Sequence, residues 1–171
     1  MYALKPIPAT ALASALIKAE RYRLLNQGAI AESICDDVLA HDGTHQPALV
    51  MKILAITDQF QEDGIGHHAT RALELVGRLS SGYARAYYEG IIHERRGRAH
   101  LTQRRGPGAG VLAHGSFESA LACFARAIDA GLADEAEAEA VLRWNACVRT
   151  LERHPELRAH RPEPEAVIES E

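Results

Sequence analysis

Arginines dominate the chemistry that this sequence can offer. Arg95, Arg96, Arg98, Arg104 and Arg105 cluster around His100, and Glu94 alone opposes them. A guanidinium presents a planar fork of donors that matches carboxylates and phosphates. Three readings are open. The stretch is a solvated helix end whose cations complement the C-terminal dipole, which is the simplest reading. It is an anion or acidic-peptide site beside the segment 103–115. Or it receives the chain's own tail, which carries Glu163, Glu165, Glu169 and Glu171.

A second group is aromatic. Tyr83, Tyr87 and Tyr88 share one helical segment, and tyrosine supplies contact area at low entropic cost. Packing in a core with the hydroxyl at its rim explains them equally well. Asn145 and Arg149 stand one helical turn apart, where they can bond a bound backbone or simply face solvent. His67 and His68 are adjacent and so point to different faces of a helix. His93 and His100 are two turns apart, too far to share one ion comfortably, and no HExxH spacing occurs. Neither a metal nor a cofactor is therefore expected.

No nucleophile elbow, Walker loop or dinucleotide fingerprint is present. Gly106-Pro107-Gly108-Ala109-Gly110 lacks the Lys-Ser/Thr pair and the preceding strand of a phosphate loop. Acidic pairs such as Asp36-Asp37 fall on helical faces. An enzyme is not expected.

The elements that position these residues read as helices. Alanine is plentiful and only 5% of residues are aromatic, which favours close-packed helices over sheets. The chain of 171 residues is long enough for one domain with a sizeable core. Its net charge of −4 gives no overall pull toward nucleic acid or an anionic membrane. No stretch approaches the roughly 20 apolar residues of a membrane span. The apolar run Ala11–Ile17 continues into an amphipathic helix, so a first helix is expected there rather than a signal peptide. Cys35, Cys123 and Cys147 are odd in number and form no CxxC pair. Reduced, buried thiols in a cytoplasmic setting follow.

Helical periodicity with glycine punctuation predicts seven helices. The first runs from a Thr10 cap to about Asn26 and stops at Gln27-Gly28. The others fit 29–41, a segment after Pro47 that ends before Asp63-Gly64, 67–79, 83–102, 116–130 and Asp134 to about Arg153. Residues 106–110 read as a loop that Gly115 closes. Asp134 and Glu137 have the spacing of a capping box. Residues 1–154 form the helical domain, and 155–171 read as a charged, proline-containing flexible tail. The helix pairs start near 11, 46 and 83, a period in the range of helical-hairpin arrays.

Gly115-x-Phe117-x-x-Ala120-x-x-x-Phe124-x-x-Ala127 resembles the second-helix signature of a tetratricopeptide (TPR) repeat. Gly28, Ile30, Ser33 and Ala40, and Gly64, Ala69, Leu73 and Val76, match it more loosely. The stretches 87–96, 106–110 and 142–149 also resemble an uncharacterised bacterial group of TPR proteins. The resemblance implies an all-α, right-handed α-α superhelix of about three hairpins with a C-terminal capping helix. It implies a protein or peptide partner held in the concave groove. The carboxylate clamp of some TPR proteins is not expected: Lys18 fits its lysine position, but Tyr22 and Ala55 stand where it needs asparagines.

The expected function is thus a non-enzymatic protein–protein interaction module, an adaptor or scaffold, without a membrane partner. Its expected contacts are Tyr87, Tyr88, Arg95, Arg96, Arg98, Asn145 and Arg149. The alternatives are an anion- or nucleic-acid-binding protein using Arg95–Arg105, with nucleic acid disfavoured by the chain's acidity, or a self-associating homo-oligomer.

Overall fold

The computed structural model describes residues 2–61, 64–103, 108–130 and 134–158, and is all-helical with no strand among them. Seven α-helices follow in order: α1 (Leu12–Leu24), α2 (Gly28–His41), α3 (Gln46–Asp58), α4 (Ile65–Val76), α5 (Gly82–Gln103), α6 (Ala109–Asp129) and α7 (Asp134–Arg153). Short 3₁₀ turns precede α1, follow α3 and follow α7.

Local chemistry sets several boundaries. Pro47 occupies the first turn of α3, and the His45 ring accepts from the Ala48 amide at 3.2 Å. Gly64 caps α4 with a φ of 79°, a left-handed conformation that suits a residue without a Cβ. Thr10, by contrast, lies inside the 3₁₀ turn, and α1 starts after Ala11 without a side-chain cap. The left-handed residue closing α1 is Asn26, with a φ of 57°, rather than Gly28. Gly28 opens α2 for another reason: a Cβ there would lie 2.8 Å from the Ala55 carbonyl oxygen of α3.

The glycine-rich segment also departs from expectation. Ala109 and Gly110 are already helical, and α6 runs through Gly115 without a break. Gly115 is exposed, with open space where a Cβ would stand, so nothing in the packing requires a stop there. Residues 104–107 lie outside the described set, as do the side chains of Asp134 and Glu137.

Each helix packs on the next in sequence, and α3 also touches both α1 and α5. The helices α5 and α6 form the longest and closest hairpin. Gly90 and Gly97 are two turns apart on α5, and Phe117 and Phe124 are two turns apart on α6. A Cβ on Gly90 would lie 2.6 Å from the Phe124 ring, and one on Gly97 would lie 3.0 Å from Phe117. The two fully buried rings fill the space that the glycines leave. One core joins this hairpin to α7 through Ala140, Cys147 and Leu151. A second joins α3, α4 and α5 through Leu49, Ile53, Phe60, Leu75 and Ile92.

Packing extends past residue 154. Pro155–Arg158 form a 3₁₀ turn, and Leu157 is buried with its Cδ2 3.4 Å from a Cβ position on Gly110. Of the expected tail, residues 159–171 lie outside the described set.

Candidate functional site: the face of the odd-numbered helices

The three odd helices α1, α3 and α5 are joined by one charge network. Arg23 of α1 donates through Nε to Asp58 Oδ2 of α3 at 2.7 Å. Arg95 of α5 pairs with the other oxygen of the same carboxylate. Arg95 also donates to Thr57 Oγ1 at 2.7 Å and to the Leu54 carbonyl at 3.3 Å. The three charged side chains retain only 17%, 21% and 27% of their exposure, so solvent screens them weakly. Arg23 and Asp58 are 35 residues apart, and Asp58 and Arg95 are 37 apart. Those intervals are close to the spacing of the starts of α1, α3 and α5, and each residue lies in the C-terminal half of its helix.

A second network ties α5 to α7. Glu94 is 2% exposed and accepts from Arg98 Nε at 3.0 Å. Its other oxygen lies 3.7 Å from Arg143 Nη1. Arg143 and Glu139 of α7 also act on the Tyr87 hydroxyl, Arg143 lowering its pKa and Glu139 raising it. Tyr87 stacks on Tyr83 with centroids 5.6 Å apart and meets Tyr88 edge-on at 5.2 Å. Burial raises the pKa of all three phenols, and that of Tyr83 is pushed up to about 12. They are neutral hydroxyls at physiological pH. The charges of Glu139 and Arg23 both act on the Tyr88 phenol, in opposite directions.

The seven expected contact residues do not form one group. Tyr88 is half-buried and packs against both large cores, and Tyr87 is buried beside it. Arg95 turns inward to Asp58 instead of out to solvent. Arg98 faces α7 through Glu94 and borders a cleft of about 380 Å³ with Leu101, Thr102, Thr150, Arg153 and His154. Arg96 acts electrostatically on His93 and His100, away from Asp58, and its Nε is buried without a hydrogen-bond partner. The arginine run is therefore divided among three surroundings, because consecutive helical residues differ in direction by about 100°. Arg104 and Arg105 lie outside the described residues. Asn145 is half-buried and Arg149 exposed. They follow Arg143 by two and six residues, which turns them to the opposite side of α7.

Arg23, Asp58, Glu139 and Arg143 were not singled out by motif. For Arg23 and Asp58 the signal was opposite charge at an interval close to the helix-pair spacing, whereas Glu139 and Arg143 carried no such signal.

On the other side of α5, Glu89 and His93 are one turn apart and face Cys123 of α6. Arg126 Nη2 donates to Glu89 Oε2 at 2.8 Å and approaches Cys123 Sγ at 3.1 Å. Cys35, Cys123 and Cys147 are buried and unpaired, and desolvation raises each thiol pKa, to about 12 at Cys35 and Cys147. Among the described residues no helix is long and apolar enough to cross a membrane. Compared with models of protein families, with curated proteins and with solved structures, the chain matches none of them.

Proposed function

We propose that this chain is a non-enzymatic interaction module. In this reading α1–α6 are three TPR-like hairpins coiled into a right-handed superhelix, and α7 caps the third. The concave surface is the odd-helix face. Its occupant is an extended peptide of a partner protein, bearing acidic residues beside an apolar anchor.

The observation that carries this reading is the Arg23–Asp58–Arg95 ladder. Side chains of α1 and α5 that bond the same carboxylate of α3 hold the three odd helices side by side. Such a row presents a continuous groove of the kind that receives peptides. Among the described residues, Arg23 and Arg95 share Asp58 while Arg98 and Arg143 share Glu94 with Glu139 nearby, which leaves a cationic surplus. Arg98 and Arg143, at 46% and 45% exposure, retain room for a ligand carboxylate. Tyr88 supplies the aromatic contact. Buried free thiols suit a reducing, cytoplasmic setting.

The test is selection from a randomised peptide library, followed by affinity measurement on wild type, Tyr88→Ala and Arg143→Gln. Enriched peptides share an acidic residue next to an apolar one, and both variants bind them at least tenfold more weakly. Selection without enrichment, or equal affinity for all three proteins, refutes the reading.

One observation favours a second reading. The cleft between α5 and α7 gathers Arg98, Arg153, His154 and two threonine hydroxyls, a donor set suited to a small anion. Binding of inorganic phosphate that weakens steeply with salt and disappears in Arg153→Glu supports it.

A further inference from the structure

A different pair of helices carries a different chemistry. Glu89, His93 and Cys123 each offer one donor atom, and these atoms lie within 4.8 Å of one another. Two come from adjacent turns of α5 and the third from α6. The glycine contacts explain why they meet. Gly90, next to Glu89, lets α5 approach α6 until its backbone rests on the Phe124 ring, and Phe124 is next to Cys123. The meeting point is thus fixed by the tightest packing in the fold.

We propose that Glu89, His93 and Cys123 form a transition-metal site, and that zinc is its ion. A thiolate, an imidazole and a carboxylate are the donors that Zn²⁺ takes in tetrahedral sites. Three protein donors leave one coordination position open, the arrangement that admits a water molecule or an external ligand. Binding transfers the Cys123 thiol proton to solvent as the S–Zn bond forms, so one proton is released per ion.

A cationic group already occupies this position. The Arg126 guanidinium bonds Glu89 and approaches Cys123, and its side chain is 58% exposed. It can swing outward, so the metal replaces it between the same two partners. The arrangement explains why an arginine reaches a buried thiol at all: the pocket formed by Glu89 and Cys123 is built for positive charge. This inference is independent of the groove, which lies on the opposite side of α5.

The experiment uses the full, untagged chain, reduced and stripped with chelator. It is titrated with Co²⁺ followed by absorption and with Zn²⁺ followed by calorimetry. One ion binds per chain, with a thiolate-to-cobalt charge-transfer band and release of one proton. Cys123→Ala abolishes the band, whereas Cys35→Ala and Cys147→Ala retain it. His93→Gln and Glu89→Gln weaken Zn²⁺ binding by at least tenfold, the lower end of the roughly 10–100-fold lost when even outer partners of a metal are removed. Arg126→Ala, at an exposed position that leaves the packing intact, binds more tightly than wild type. No saturable binding by wild type, a band that survives in Cys123→Ala, or an Arg126→Ala affinity no better than wild type each overturns the proposal.

Discussion

The Asp58 carboxylate receives Arg95 on one oxygen and Arg23 on the other, so a single anion of α3 holds α1 and α5 together. Removing it leaves two guanidiniums facing each other across a poorly hydrated gap. Loss of one partner of a fully buried pair costs about 3–5 kcal/mol. These side chains retain about a fifth of their exposure, so Asp58→Ala is expected to cost about 2 kcal/mol. Urea unfolding measures it. Adding Arg95→Ala should recover part of the loss, because one of the stranded charges disappears. A double variant less stable than Asp58→Ala contradicts the network.

The same geometry rules out charge reversal at Arg95 as a clean probe of binding. Arg95→Glu would place a second carboxylate against Asp58 and so destabilise the fold itself. Arg143→Gln and Tyr88→Ala are the better probes, since neither residue pairs with Asp58 and glutamine at 143 sets no second carboxylate against the buried Glu94.

Gly90 is expected to tolerate no side chain. Alanine gains helix propensity worth about 1 kcal/mol over glycine, but its Cβ meets the Phe124 ring at 2.6 Å. Overpacking of this kind costs about 1–3 kcal/mol. Gly90→Ala should therefore melt lower than wild type. At Gly97 the clearance is 3.0 Å, so Gly97→Ala loses less. Thermal melts of the two variants, followed by circular dichroism, check the order. The reverse order would mean that the α5–α6 register is shifted.

Acid should weaken the fold through His100. Burial, helped by the nearby Arg96 charge, holds its imidazole below the ordinary value of 6.5, and its Nε2 is buried without a hydrogen-bond partner. Above the unfolded pKa both states are neutral and stability is complete. As pH falls below it, the unfolded chain binds the proton first, so stability declines until the folded imidazole titrates too. The melting temperature should fall between about pH 7 and about pH 5, and His100→Gln should reduce that fall. An identical pH slope in the variant contradicts the assignment.

Leu157 anchors the end of the fold. It is 7% exposed and packs on the first turn of α6. Leu157→Ala should cost about 2 kcal/mol, the low end for a buried leucine at the edge of a core. A chain ending after Arg158 should retain the wild-type melt. A truncated chain that melts as low as Leu157→Ala would mean that the later residues carry the stability instead.

Helix content was legible because it depends on local patterning. The apolar stripes of α2, α3, α5 and α7 mark those helices within a few residues. Glycine was the less legible residue, because one side-chain type answers several needs. At Gly64 it supplies a left-handed cap, at Gly28 and Gly90 it clears space for a neighbouring helix, and at Gly115 it does neither. Only the packing of a second helix distinguishes these roles. The site was partly legible for a related reason. Tyr88 is half-buried and packs against both large cores. The arginine run reads as one patch in sequence but winds around α5 in space. The Arg23–Asp58–Arg95 ladder and the Glu89–His93–Cys123 cluster each join residues from separate helices, beyond the reach of any local motif.

The central claim is that the row of odd-numbered helices receives the partner. Backbone amide NMR of the isotope-labelled chain, titrated with a library-selected peptide, tests it most directly. Shifts are expected to be confined to α1, α3, α5 and α7, largest around Tyr88 and Arg143, and strongly reduced in Arg143→Gln. Shifts concentrated on α2, α4 and α6 would contradict it.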